Sequence, residues 1–293
     1  MATETAERRT IAELRAGSEI QGTFACVRKD RLTARTGSAY LALELRDRSG
    51  TMAARVFRDA DFAAGRFERG DLVRVSGRVE RFRDELQAEL TDVRRADAGE
   101  ADPADFLPVA YRDLEELDGF LEHLAREVYD PGYRALLDSF LGDDGFRAEL
   151  RRAPCTRSGH HSYLGGLLEH TVAVATLAQE ACTLHPRLDS DLLLTAAILH
   201  DIGKLREFDL GAEIALSDEG RLLGHMDIGR QLIAERAGAL PEPKRLALLH
   251  CVLGHHGADR LPGRRFGSPE ALALFRLNAL DASVKGALEH GLP

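Results

Sequence analysis

Eight residues from Leu192 to Leu199, apolar apart from Thr195, run straight into His200-Asp201-Ile202-Gly203-Lys204. Ser190 before Asp191 reads as a helix N-cap, and a helix without a polar face has to be buried on all sides. Its last turn therefore carries an imidazole, a carboxylate, a glycine that ends the helix and a lysine into a core. Burying a charge costs several kcal/mol unless it is paired or bound to metal. A metal ion is the simplest partner.

The chain has eleven histidines, and those of its C-terminal part fall on apolar helix faces or at helix ends. His170 recurs with Leu167, Val174, Leu177 and Ala181 at spacings of three and four, on a helix that reaches about Leu184 and is ended by Pro186. Gly224-His225 opens another helix, in which His225, Ile228 and Leu232 share a face. Leu246, Leu249, Val252 and His256 form the stripe of a third, which stops at Gly254-His255-His256-Gly257. The last helix starts at Ser268-Pro269-Glu270 and carries Leu274, Leu277, Asn278 and Asp281 inward. The expectation is one pocket with two divalent ions. His170, His200 and Asp201 with a group from the last helix hold the first; Asp201, His225, His255 and His256 hold the second, with the Asp201 carboxylate as the bridge. His250, a turn before the tandem pair, is expected behind a ligand. Imidazole and carboxylate donors suit manganese, iron or zinc better than magnesium, and manganese is the best fit. Two ions roughly 3.5 to 4 Å apart clamp both the attacking and leaving oxygens of a phosphoryl centre, so phosphodiester hydrolysis is the natural chemistry.

At 293 residues the chain is long enough for two domains. A charged start without an apolar core excludes a signal peptide, and no stretch approaches the roughly 20 apolar residues of a membrane span. Cys26, Cys155, Cys182 and Cys251 form no Cys-x-x-Cys, which points to a reducing cytoplasm and away from cysteine zinc sites. The net charge of −9 divides into about +1 for residues 1–100 and −10 for the rest, so the acidic total does not oppose nucleic-acid binding by the first part. Nothing opposes a homo-oligomer.

That first part reads as strands. Glu19 to Val27, Tyr40 to Leu45, Thr51 to Phe57, Leu72 to Val79 and Leu86 to Leu90 alternate or carry β-branched runs, and Asp47-Arg48-Ser49-Gly50 turns the second strand into the third. Five short strands with one broken interval, Asp59 to Phe67, suit a small OB barrel. Such a barrel binds single strands by stacking and a basic groove, and Phe24, Tyr40, Phe57 and Phe82 with Arg28, Lys29, Arg31, Arg55 and Arg81 are the candidates. Residues 1–10 are expected to be a flexible tail, 11–98 the barrel, 99–110 a linker of small, acidic and proline residues, and 111–293 a helical bundle. The predicted fold is multidomain: a small all-β barrel followed by an all-α domain.

At His170, His200-Asp201 and the distal acidic segment, the sequence resembles the HD-domain metal-dependent phosphohydrolases; His225 and His255-His256 between them resemble the two-metal branch. The block His160-His161-Ser162-Tyr163-Leu164-Gly165-Gly166-Leu167-Leu168-Glu169-His170-Thr171, with His200-Asp201-Ile202-Gly203-Lys204, Gly224-His225 and Gly254-His255-His256-Gly257, is similar to the YhaM-type 3′ to 5′ exoribonucleases. Their order of an OB-fold followed by an HD domain matches as well, so the resemblance covers roughly residues 11–290. It implies a metal-dependent exonuclease that takes nucleoside monophosphates from the 3′ end of single-stranded RNA, with DNA as a second substrate. One position departs: the family's last metal ligand is an aspartate, and here that segment is Asn278-Ala279-Leu280-Asp281. Either Asn278 serves as a weaker, uncharged ligand or Asp281 reaches in. Asp201 and Lys204 are the expected catalytic groups, Lys204 by placing positive charge at the scissile phosphate. His161 and Arg157 are expected on the substrate, with Phe24, Tyr40 and Arg55 of the barrel. Two other readings remain open: a phosphohydrolase of a nucleotide or cyclic dinucleotide, and a nucleic-acid-binding protein whose metal site has decayed.

Overall fold

The computed structural model describes residues 10–34, 37–97, 99–102 and 105–292. The tail expected over residues 1–10 lies, apart from Thr10, outside the described residues. Two compact units emerge, one of residues 1–108 with 210–214, the other of residues 109–209 with 215–293.

In the first unit β1 (Glu19–Thr33), β2 (Ala39–Asp47), β3 (Gly50–Val56), β4 (Leu72–Phe82) and β5 (Glu85–Arg95) close into a barrel in the order β1-β2-β3-β5-β4. The β3–β5 pairing is parallel and the others antiparallel. β1 serves two neighbours: its first half, Glu19 to Ala25, pairs with β4, and from Ala25 to Thr33 it pairs with β2, with a register shift at Cys26/Arg28 inside that second pairing. Such a shift bends a strand and lets it turn a barrel corner. Leu41, Leu43 and Leu45 point inward, as do Met52, Ala54 and Val56, the alternation a half-buried strand requires. The interval between β3 and β4 is a short helix, α1 (Ala60–Ala64), which seats Ala60 and Ala63 in the barrel core with Phe67 after it. The Asp47 carboxylate shapes the β2–β3 turn by accepting from the Ser49 amide at 2.7 Å and from the Ile11 amide at 2.8 Å.

The helical unit contains α2 (Leu114–Arg126), α3 (Pro131–Leu141), α4 (Asp144–Arg152), α5 (Gly166–Leu184), α6 (Ser190–Leu199), α7 (Lys204–Glu207), α8 (Asp218–Leu222), α9 (His225–Arg236), α10 (Glu242–Gly254) and α11 (Pro269–His290); between α7 and α8 the chain forms a small two-stranded sheet of β6 (Phe208–Leu210) and β7 (Ile214–Leu216). Every residue from Leu192 to Leu199 is buried, so α6 is the central rod, and α5, α10 and α11 pack against it. Its cap is Asp189, whose carboxylate accepts from the Leu192 amide at 3.0 Å. The predicted cap, Ser190, is already the first helical residue. Both types cap helices, and the one whose side chain reaches the free amide decides. Among the described residues no helix is long and apolar enough to cross a membrane.

α2 is tied to α4 by Asp118, a buried carboxylate that accepts from Arg147 and Arg151. Burial alone would raise its pKa, but the two guanidinium groups outweigh burial and hold it below the ordinary 3.8. A depressed carboxylate contributes stability above its ordinary pKa and loses it as the pH falls below. Asp118→Asn should therefore cost about 2 kcal/mol at pH 7, between the surface and buried limits for an ion pair. The gap to wild type should close on acidification below pH 3.8, as read by denaturant melts across pH; a gap that persists in acid would show a packing defect instead.

Candidate metal centre

Four helix ends and one helix interior converge on Asp201, whose side chain is 1 % exposed. Its two oxygens face different partners. Oδ2 lies 3.5 Å from His170 Nε2 and 3.4 Å from His200 Nε2; Oδ1 lies 3.5 Å from His225 Nε2 and 3.4 Å from His255 Nε2. His256 joins the second pair, with Nε2 2.9 Å from that of His225.

The far nitrogens explain the convergence. His200 Nδ1 donates to the Ala197 carbonyl at 2.8 Å and His255 Nδ1 to the Val252 carbonyl, each one turn back in its own helix. His225 Nδ1 donates to Glu207 at 2.9 Å, and His170 Nδ1 donates to Asp281 at 2.6 Å. A neutral imidazole has one N–H. With all four spent at Nδ1, four Nε2 lone pairs are aimed at one carboxylate. Lone pairs and an anion at 3.4–3.5 Å repel unless a cation stands between them. Two buried atoms of this group, Asp201 Oδ1 and His255 Nε2, have no hydrogen-bond partner among the described residues. An orphaned donor set of this composition fits a divalent metal. Its ligand atoms group as His170, His200 and Asp201 on one side and Asp201, His225, His255 and His256 on the other. Burial pushes the His170 imidazolium down to about 4 and lowers that of His255, so both are neutral at neutral pH, the state a ligand needs. Burial by itself would raise Asp201, but the Lys204 ammonium beside it outweighs burial and keeps the carboxylate ionised.

Gly203 sets the spacing. Its backbone is right-handed helical, φ −62° and ψ −20°, so its lack of a side chain is not used for a left-handed turn. A Cβ there would stand 1.9 Å from the His225 carbonyl oxygen. Only a residue without a side chain lets the first turn of α9 close onto the turn after α6, and that approach brings His225 to Asp201.

A cavity of about 550 Å³ opens beside the centre, lined by Arg157, His160, Lys204, His225, His256 and Asn278 among others. Apolar walls from Phe208, Leu216 and Phe275 complete it.

The comparisons with known proteins agree with this geometry. A model of the HD domain matches residues 167–283, and a model of the OB-fold nucleic acid binding domain matches residues 22–95. The 3′-5′ exoribonuclease YhaM of Bacillus licheniformis is 30 % identical over 260 residues, 86 % of this chain and 81 % of that one. The chain belongs to the YhaM family. The YhaM exoribonucleases of Oceanobacillus iheyensis, 29 % identical over 92 % of this chain and 85 % of that one, and of Bacillus velezensis, 28 % over 92 % and 86 %, match over the same two domains.

In this YhaM-family chain the sequence-predicted residues fall into three groups. His170, His200, Asp201, His225, His255 and His256 come together. Lys204 joins them from the next turn, its ammonium 2.7 Å from Asp201 Oδ2 and held charged by that carboxylate despite burial. Arg157 is exposed at the cavity. Asn278 and Asp281 stand differently from expectation. The Asn278 amide donates to the His255 carbonyl at 3.2 Å and so braces the turn that carries His255. Asp281 Oδ2 is taken by the N–H groups of His170 and His161, which puts it behind a ligand.

Three expectations need correction. His161 is 1 % exposed and bonded to Asp281 and Tyr163, too deep to touch substrate. Phe24 is 1 % exposed in the barrel core and offers no face to a base, because a small barrel needs large side chains to fill it. His250 accepts from the Gly267 amide at 2.8 Å and anchors a loop instead of backing a ligand. Tyr40 and Arg55 do sit together on the surface: the Arg55 guanidinium lies 5.9 Å from the Tyr40 ring centroid, and Tyr40 lies 5.5 Å from exposed Phe57. Sequence reading missed Glu207, whose partnership with His225 spans 18 residues and has no local signature. The Cys155 thiol accepts from the Lys204 ammonium at 3.4 Å. Burial pushes the Cys155 thiol up to about 12, so it is protonated at neutral pH.

Gly203→Ala should strip the centre while leaving the helices in place. Purified variant should hold at least about tenfold less divalent metal than wild type after dialysis, by elemental analysis, the scale of a lost supporting contact, with unchanged far-ultraviolet circular dichroism. Full metal content would refute the close-approach account.

Proposed function

We propose that this YhaM-family chain removes nucleoside monophosphates one at a time from the 3′ end of single-stranded RNA, in the cytoplasm, with two manganese ions that His170, His200, Asp201, His225, His255 and His256 would hold. The observation that carries this reading is the two-sided environment of Asp201: two imidazole lone pairs on one oxygen, two on the other, a third imidazole beside the second pair. A decayed metal site has no need of four tautomers set by four separate acceptors, so the intact donor set supports a working enzyme. Bound there, a pair of divalent ions supplies Lewis acidity to a phosphodiester and lowers the pKa of a water.

The chain's own residues supply the rest. Lys204 carries a fixed positive charge at the wall of the cavity, where charge develops on a phosphoryl group in the transition state. Arg157, free of any ion pair among the described residues, is placed to take a phosphate oxygen at the rim. The apolar side formed by Phe208, Leu216 and Phe275 suits a base. In the barrel, Tyr40 and Phe57 offer stacking faces, and Arg55 lines a separate groove of about 740 Å³ with Arg15 and Arg28, the pairing of aromatic and cationic surface that single strands recognise. Four free cysteines fit a reducing compartment.

The test uses 5′-labelled and 3′-labelled RNA and DNA with and without manganese. The 5′ label should yield a ladder shortening from the 3′ end and the 3′ label a monophosphate at once. A His200→Ala, Asp201→Ala double variant should lose at least about a thousandfold in rate, the upper range for removing electrostatic catalysis. Internal cuts, or turnover confined to free nucleotides, would overturn the reading.

A further inference from the structure

His161 lies at the end of a buried polar chain that the metal centre does not account for. The loop between α4 and α5 folds back into the core: Gly165 is left-handed (φ +79°), and a Cβ on Gly166 would stand 2.2 Å from the His161 carbonyl oxygen. The His161 backbone is itself left-handed (φ +54°), and its amide donates to Glu289 at 3.0 Å. From the ring, Nε2 lies 3.1 Å from Asp281 Oδ2, the oxygen that also accepts His170 Nδ1 at 2.6 Å. On the other side Nδ1 lies 2.9 Å from the Tyr163 hydroxyl, which donates to Glu169 Oε2 at 2.7 Å; Glu169 Oε1 in turn accepts from Lys285 at 2.8 Å. Asp281, Lys285 and Glu289 recur every four residues, so one face of α11 meets this loop and α5.

The hydrogen count along the chain is determined. Tyr163 has one proton and gives it to Glu169, so His161 donates at Nδ1 to the tyrosine oxygen and at Nε2 to Asp281. Asp281 is thereby held as a carboxylate between two N–H groups, and one of them belongs to a metal ligand.

We propose that His161, backed by Tyr163 and Glu169, is a positioning residue for His170: through Asp281 it fixes the His170 ring so that Nε2 points at Asp201. This rests on the two-metal reading given above. Carboxylates behind ligating imidazoles set their tautomer and basicity, and their loss weakens metal binding; His161 extends that support by one further residue.

Calorimetric titration of manganese into the chelator-stripped full chain tests it. His161→Leu should weaken one of the two binding events by about 10 to 100-fold and leave the other within about threefold. His161→Gln, whose amide can still donate to Asp281, should recover the loss to within about threefold of wild type. Both variants share the same left-handed backbone, so strain cancels between them. At saturating manganese the KM for RNA of His161→Leu should stay within about twofold of wild type, whereas a substrate contact would raise it. Should the leucine variant fail to fold, Tyr163→Phe, which deletes only the hydroxyl, should weaken the same event by about 3 to 10-fold. Unchanged affinity in the variants, or a glutamine variant as weak as the leucine one, overturns the proposal while leaving the metal centre standing. A wild-type chain that binds no manganese overturns the centre itself.

Discussion

The helical unit is built around a carboxylate that ought not to be there. Asp201 is buried at the end of the most apolar helix of the chain, against a desolvation cost of several kcal/mol. Lys204 offsets part of it through one oxygen. The imidazoles offset nothing in the neutral, Nδ1-protonated form that their partners impose, because lone pairs and not hydrogens face the anion. The arrangement is stable only with positive charge between them, so ion binding and the folding of this region are coupled.

The four acceptors that fix the rings are of two kinds. His200 and His255 bond a carbonyl three residues back in their own helices, so each ring is fixed by the helix that carries it. His225 and His170 depend on carboxylates from distant segments, Glu207 and Asp281. Each side of Asp201 thus has one imidazole fixed locally and one fixed through tertiary structure. The locally fixed ligands report that α6 and α10 are formed, whereas the others report that α5, α7, α9 and α11 have docked. A centre built this way is complete only when the whole unit is folded.

How much of this was legible follows from the range of each interaction. Histidines on apolar stripes and at helix ends were readable because helical periodicity puts them on a buried face, and the five imidazoles grouped with Asp201 came from that pattern. Strand alternation gave five barrel strands, but it reports burial and not pairing. β1 therefore runs on to Thr33 and β4 to Phe82 through exposed residues that the pattern left out. What stayed hidden needed a contact across the chain. Gly203 read as a helix stop until the His225 carbonyl was placed against it. Asp281 read as a ligand until His161, 120 residues away, was found on the same oxygen. Glu169, a charged residue next to His170 in an apolar run, was the one local clue to the chain behind the centre, since a buried charge in a stripe implies a partner.

Charge explains why a domain so acidic can act on a polyanion. Residues 101–293 carry a net charge of −10, which taken alone repels RNA. The donors around Asp201 are mostly neutral: five imidazoles and one shared carboxylate, with an uncharged amide at position 278. A divalent metal held by so few negative ligands keeps most of its charge uncompensated, and Lys204 adds to it. Field lines from that excess concentrate in the cavity beside the centre, whose low-dielectric walls screen them poorly. The acidic surface then rejects the strand everywhere except where its terminal phosphodiester meets the metal cluster. Neutral ligands, chosen in place of carboxylates, are what make that selectivity available.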